Sequence, residues 1–256
     1  MTASGVSPRR GARSAIGLTI AVALLTTSAT RAQSPTEPDV AAQDNTQVSR
    51  LAAARPGGWQ GALQDSIRLL AFEHAVRIGF QSKTRRELPG PFWSDYRRSL
   101  NVPHQWSDGD GWFVNYIGHP IHGAAAGRIW LDHTPLDRDP PFGTAAYWKS
   151  RAIASAWATG YSIQFEFGPL SEASIGNVGL YPPTRGWVDH VITPVGSMAM
   201  TVAEDALDRF VMLKIERQTR NRVVRASMRV FLNPSRAIAN GIQGHLPWYR
   251  HDRSLR

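Results

Sequence analysis

The run Trp112-Phe113-Val114-Asn115-Tyr116-Ile117-Gly118-His119-Pro120-Ile121-His122-Gly123, continued by Ala124-Ala125-Ala126-Gly127, constrains this chain more than any other stretch. Side chains this small let a neighbouring helix approach closely, so the segment belongs inside a helical packing. Asn115, His119 and His122 are separated by steps of four and three, which places them on one face of a continuous helix. An amide and two imidazoles in such surroundings must hold a metal, relay a proton or join a buried hydrogen-bond network. Pro120 sits inside the run, so the helix either starts late or kinks there.

Helical periodicity recurs along the chain. Residues 61–80 carry Leu63, Ile67, Leu70, Val76 and Phe80 among polar positions, an amphipathic helix closed by Gly79 and by Pro89-Gly90-Pro91. Residues 92–106 read as a short aromatic helix and a loop, and Ser107-Asp108-Gly109-Asp110-Gly111 as a turn that supplies a helix cap. That turn lacks the further ligands and the terminal Glu of a calcium loop. Residues 144–167 form a second long apolar helix with Tyr147, Trp157, Tyr161 and Phe165. The Gly- and Pro-rich segment 168–186 separates it from a helix that Thr193-Pro194 opens, a hydroxyl cap followed by proline in the first turn. Asn233-Pro234-Ser235 opens a last short helix. No strand-like alternation, internal repeat or nucleotide-type glycine loop is sustained anywhere, so the expectation is an all-α chain, a compact bundle of about five to six helices with no cofactor assigned.

The N-terminus reads as an export signal over residues 1–32. Arg9, Arg10 and Arg13 precede an apolar core from Ala15 to Leu25, and Thr30-Arg31-Ala32 offers a small-residue cleavage site. The core is too short to span a bilayer, which takes about 20 apolar residues. Residues 33–58 read as a flexible leader, 59–244 as the helical domain and 245–256 as a basic tail. The chain has no cysteine, which excludes disulfides, thiol catalysis and Cys-based metal sites.

The formal charge of +9 is concentrated. Between Arg209 and Arg256 stand eleven Lys or Arg and only two acids, Glu216 and Asp252. Such a segment attracts polyanions. Export makes anionic lipid or envelope polysaccharide the expected partner rather than nucleic acid, with Arg217, Arg220, Arg222, Arg225, Arg229, Arg250 and Arg253 as the binding residues.

Several motifs in order (Asn115 with His119-Pro120 and Gly123, Phe165-Glu166-Phe167 with Glu172, Pro182-Pro183 with Asp189, Thr193-Pro194-Val195-Gly196 with Glu204, and Asn233-Pro234-Ser235-Arg236) resemble an uncharacterised bacterial exported-protein domain family of unknown function. The resemblance covers about residues 111–244, and Thr184-Arg185-Gly186-Trp187 departs from its more polar pattern. It implies an exported helical module and carries no catalytic role.

The resulting expectation is an exported envelope component, structural or binding, at the periplasmic face of a membrane. Asn115, His119, His122, Glu166, Glu172 and Asp189 form its buried polar cluster. The alternative is a metal-dependent hydrolase built on His119 and His122 with a carboxylate. It lacks a Glu-x-x-His or His-Glu-x-x-His run, and Pro120 disturbs the pair, so no metal is assigned. A serine hydrolase is the second enzyme option, and it lacks both the Gly-x-Ser-x-Gly elbow and the alternating strand and helix pattern.

Overall fold

The computed structural model describes residues 57–100, 105–134, 139–176 and 186–255. Residues 1–56, which carry the expected signal and nearly all of the expected leader, lie outside the described residues, as do Pro182-Pro183. The described chain is all-α. Its helices are α1 (Gly58–Phe80), α2 (Ser82–Glu87), α3 (Phe92–Ser99), α4 (His119–His133), α5 (Ala145–Phe167), α6 (Glu172–Gly176), α7 (Val188–Leu207), α8 (Leu213–Gln218), α9 (Arg222–Phe231) and α10 (Pro234–Ile242), somewhat more than the five or six expected. A parallel bridge between Gln105 and Gly186 is the sole β pairing among the described residues.

Helix α4 is the central element and packs against α7, α5, α10 and α1. Its glycines explain how. A Cβ on Gly123 would stand 2.8 Å from Ser197 Cβ and from Thr193 Cγ2, and one on Gly196 would stand 2.6 Å from the Pro120 ring. The α4 and α7 backbones therefore meet more closely than any larger residue permits. The apolar core is correspondingly lean: Ala62 and Leu69 from α1, Ala125, Ala126 and Ile129 from α4, Tyr161 from α5 and Ala239 from α10.

A π-turn over Val114–Gly118 leads directly into α4, with the His119 amide donating to the Val114 carbonyl, so Pro120 stands in the first turn of α4 just after the ladder has widened. The other expected proline start does not hold. Helix α7 begins at Val188, five residues before Thr193, and carries Pro194 in its interior. Its start is fixed from a distance: the Trp187 and Val188 amides donate to the Gln105 and Trp106 carbonyls at 2.9 and 3.0 Å, satisfying end groups that a local cap would otherwise serve. Gly186 permits that approach, since a Cβ there would fall 2.3 Å from the Asp108 amide nitrogen. The Asp108 turn is thereby clamped onto the start of α7.

Candidate functional site: a buried polar centre

The clamp brings Asp108, α4, α5 and α7 together around His119. Its Nε2 lies 3.3 Å from Asp189 Oδ1 on α7, and its Nδ1 lies 3.3 Å from Thr193 Oγ1, one turn further along the same helix. Asp108 lies beside Asp189 and accepts a hydrogen bond from Asn115 Nδ2 at 2.8 Å. Glu166, from the end of α5, completes the group. One ligand atom each from His119, Glu166 and Asp189 lies within 4.8 Å of the other two, and all three residues are buried.

A second layer flanks this group. His122 Nδ1 and the Tyr161 hydroxyl each meet one oxygen of Glu73 on α1, both at 2.7 Å. Arg77, one turn along α1, forms an ion pair with Glu172 and also faces Glu166. His74 stacks on Phe165 with ring centroids 5.4 Å apart and reaches the Leu170 carbonyl at 2.9 Å.

These surroundings set the charges. Burial, reinforced by His122, holds the His119 imidazole down to about 3, so the ring is neutral near pH 7. Burial pushes the Glu166 carboxyl up, and burial with the Glu166 charge pushes Asp189 up further. Burial opposes ionisation of Asp108 too, but the neighbouring Asp189 and the hydrogen bonds from Asn115 and the Asp110 amide outweigh it and hold Asp108 below its ordinary value. At His122 burial is overcome by the Glu73 carboxylate, which raises the imidazole above its ordinary value.

The hydrogen bonds do not close. Asp108 Oδ2, Asn115 Oδ1, Glu166 Oε1 and Asp189 Oδ1 are buried and have no hydrogen-bond partner among the described residues. The 3.3 Å approach of His119 to Asp189 is near enough for an ion pair but is not aligned as a hydrogen bond. Orphaned buried acceptors cost roughly 1–3 kcal/mol each. Glu166 Oε1 and Asp189 Oδ1, which meet at His119, are acceptors of the kind that a cation completes.

All six residues of the expected cluster are placed, in two groups. Asn115, His119, Glu166 and Asp189 meet around the centre, while His122 turns to Glu73 and Glu172 to Arg77. His119 stands with two carboxylates, while His122 gives its Nδ1 to Glu73 and its Nε2 is buried with no hydrogen-bond partner among the described residues. Asp108, Glu73, Arg77, Tyr161 and Thr193 belong to the site without having been singled out. Their signals were faint, a turn aspartate and polar positions on helices read as amphipathic.

The basic C-terminal segment divides as well, and here the expectation needs correction. Arg229 is buried and donates from Nε to Glu216 Oε1 at 2.6 Å; Arg253 bridges Glu216 and Asp208; Arg250 is buried beside Asp208. Arg225 lies 3.8 Å from Glu216. These four arginines neutralise internal acids and anchor residues 248–254, through carbonyls of Trp248, Arg253 and Ser254, rather than forming a free tail. Arg217, Arg220 and Arg222 remain exposed.

No family model, curated protein or solved structure matches this chain.

Proposed function

We propose that the chain is an exported protein of the bacterial envelope that attaches to the periplasmic face of a membrane through α9 and the arginines beside it. The orientation of α9 carries this reading. The helix is capped by Asn221, whose side chain accepts from the Val223 and Val224 amides. At about 100° per residue, Val223, Phe231 and Val224 fall within one arc, and Arg225 and Arg229 on the opposite side. The charged side faces inward to Glu216, and the apolar side faces outward, with Val223 74% and Phe231 78% exposed.

An amphipathic helix whose apolar face points away from its own protein is completed by an apolar medium. Each of those side chains gains about 1.5–3 kcal/mol on full burial. Exposed Arg217 and Arg220 precede α9 in the chain, and each adds about 1 kcal/mol beside an anionic surface. No helix among the described residues is long and apolar enough to cross a membrane, in keeping with attachment to one face. The arginine-rich, apolar and small-residue pattern of residues 1–32 supports export, and the order of motifs from Asn115 to Arg236 supports a place among exported bacterial domains of unknown function.

Co-sedimentation with phosphatidylglycerol-containing and pure phosphatidylcholine vesicles tests the reading. Binding to the anionic vesicles is expected, weakened by salt and by Arg217→Glu/Arg220→Glu, and abolished by Val223→Ser/Phe231→Ser. Full recovery in the supernatant with anionic vesicles at low salt would overturn it. Retention on anionic polysaccharide that survives Val223→Ser/Phe231→Ser would replace the bilayer with a polymer partner.

A further inference from the structure

We infer that His119, Glu166 and Asp189 form a binding site for a transition-type divalent cation, of which Zn2+ is the representative ion. This goes beyond membrane attachment and is independent of it, since the site lies on α4, α5 and α7 and the membrane face on α9.

Three observations carry it. The ligand atoms come from three separate long helices and converge to within 4.8 Å of one another, so the site is set by the bundle and not by a single loop. The 3.3 Å between His119 Nε2 and Asp189 Oδ1 matches the roughly 3.4 Å between two ligands of a tetrahedral ion with bonds of about 2.0–2.1 Å. Glu166 Oε1 and Asp189 Oδ1, on residues 7% and 5% exposed, have no hydrogen-bond donor among the described residues. A cation at the centre satisfies both acceptors at once, the two carboxyls giving up their protons as it binds.

The donor set also selects the ion. One imidazole nitrogen with two carboxylates suits Zn2+ or Mn2+, whereas Mg2+ and Ca2+ prefer all-oxygen shells. The other faces are built as a supporting shell. Thr193 Oγ1 meets the second ring nitrogen of His119 and holds the imidazole plane, and Asn115 donates to the neighbouring Asp108 carboxylate. Three protein ligands leave a fourth position open on a tetrahedral ion.

The test uses the parent protein stripped with chelator and dialysed free of it. Isothermal titration with Zn2+ is expected to show one saturable equivalent, and Co2+ to give the visible ligand-field bands of a nitrogen and oxygen site. Asp189→Asn and Glu166→Gln are each expected to weaken Zn2+ at least tenfold while keeping the helical circular dichroism of the parent. His251→Ala, a surface histidine paired with Asp139, is expected to leave binding unchanged. Absence of a saturable equivalent, absence of cobalt bands, or affinity unaltered in folded Asp189→Asn and Glu166→Gln would overturn the site. Should either variant fail to fold, the cobalt spectrum of the parent, with bands for and without bands against, decides alone.

Discussion

Helices α4, α5 and α7 bury two polar clusters, one toward each end, and they are finished differently. At one end Arg128 donates to Asp205 Oδ1 at 2.7 Å and to the Thr201 carbonyl at 3.1 Å, and stands 3.5 Å from Glu204. Arg151 and the Tyr147 hydroxyl occupy the other Asp205 oxygen at 2.8 and 3.0 Å, and Ser235 donates to Glu204 through both its amide and its hydroxyl. Every carboxylate oxygen of that cluster is engaged, and its leftovers are guanidinium donors, the Nε atoms of Arg128 and Arg236. Roughly 13 Å along α4, nine residues away at 1.5 Å each, the His119 end is left with four side-chain oxygens unpartnered, and its flanking layer with Arg77 Nε, His74 Nδ1 and His122 Nε2. The same three helices thus hold a strut whose carboxylate oxygens all have donors and a centre where carboxyl oxygens have none.

The sharpest way to break the comparison is to remove the strut's cation. Arg128→Met leaves Glu204 and Asp205 short of a buried partner and is expected to cost about 3–5 kcal/mol in a denaturant melt. A loss below 1 kcal/mol would mean that the strut bears no load. Gly123→Ala comes next. Its new methyl meets Ser197 and Thr193 at 2.8 Å, so the α4–α7 crossing must open, at a cost of about 1–3 kcal/mol, and Thr193 is drawn away from His119. A parent-like melting temperature would refute that close approach.

Acid separates the two ends further. Burial opposes the Asp205 charge, but Arg128, Arg151 and Arg236 outweigh it and hold the carboxyl at about 2, against 3.8 for the free side chain. A depressed carboxyl stabilises the fold fully above pH 3.8 and loses that contribution as pH falls through about 2. About 2 kcal/mol is expected to disappear across this window, and Asp205→Asn, less stable at neutral pH, should lack that share of the acid loss. An identical acid profile in the variant would contradict the assignment. The smallest effect belongs to the centre: in chelator, Glu166→Gln is expected to change stability by less than about 1 kcal/mol, because burial already favours the uncharged carboxyl that the amide imitates. A loss of several kcal/mol in chelator would make Glu166 a structural ion like Asp205.

Much of the fold was legible because it rests on local signals. The helices at 58–80, 145–167 and 234–242 follow from apolar periodicity and an Asn-Pro start, but the buried face of the first does not, since Leu63, Ile67, Val76 and Phe80 are exposed while Asp65, Ser66 and His74 are buried. The start of α7 was not legible, since its cap is a pair of carbonyls about eighty residues earlier in the chain. At the site, Asn115, His119, Glu166 and Asp189 stood out as polar residues in apolar runs, while Asp108 passed for an ordinary turn residue. Its role appears only when Gly186 lets the turn close on α7. The arginines of α9 were misplaced for another reason. Periodicity gives two faces but not which one turns inward, and Glu216 takes the charged face.

The most direct test of the difference between the two clusters is elemental analysis of the chain purified without chelator, beside Asp189→Asn and Asp205→Asn. One equivalent of a transition-type divalent metal is expected in the parent and in folded Asp205→Asn, and none in Asp189→Asn. A metal-free parent that takes up no Zn2+ when it is offered, or an Asp189→Asn variant that keeps its metal, would contradict the reading of the His119 end as a binding centre.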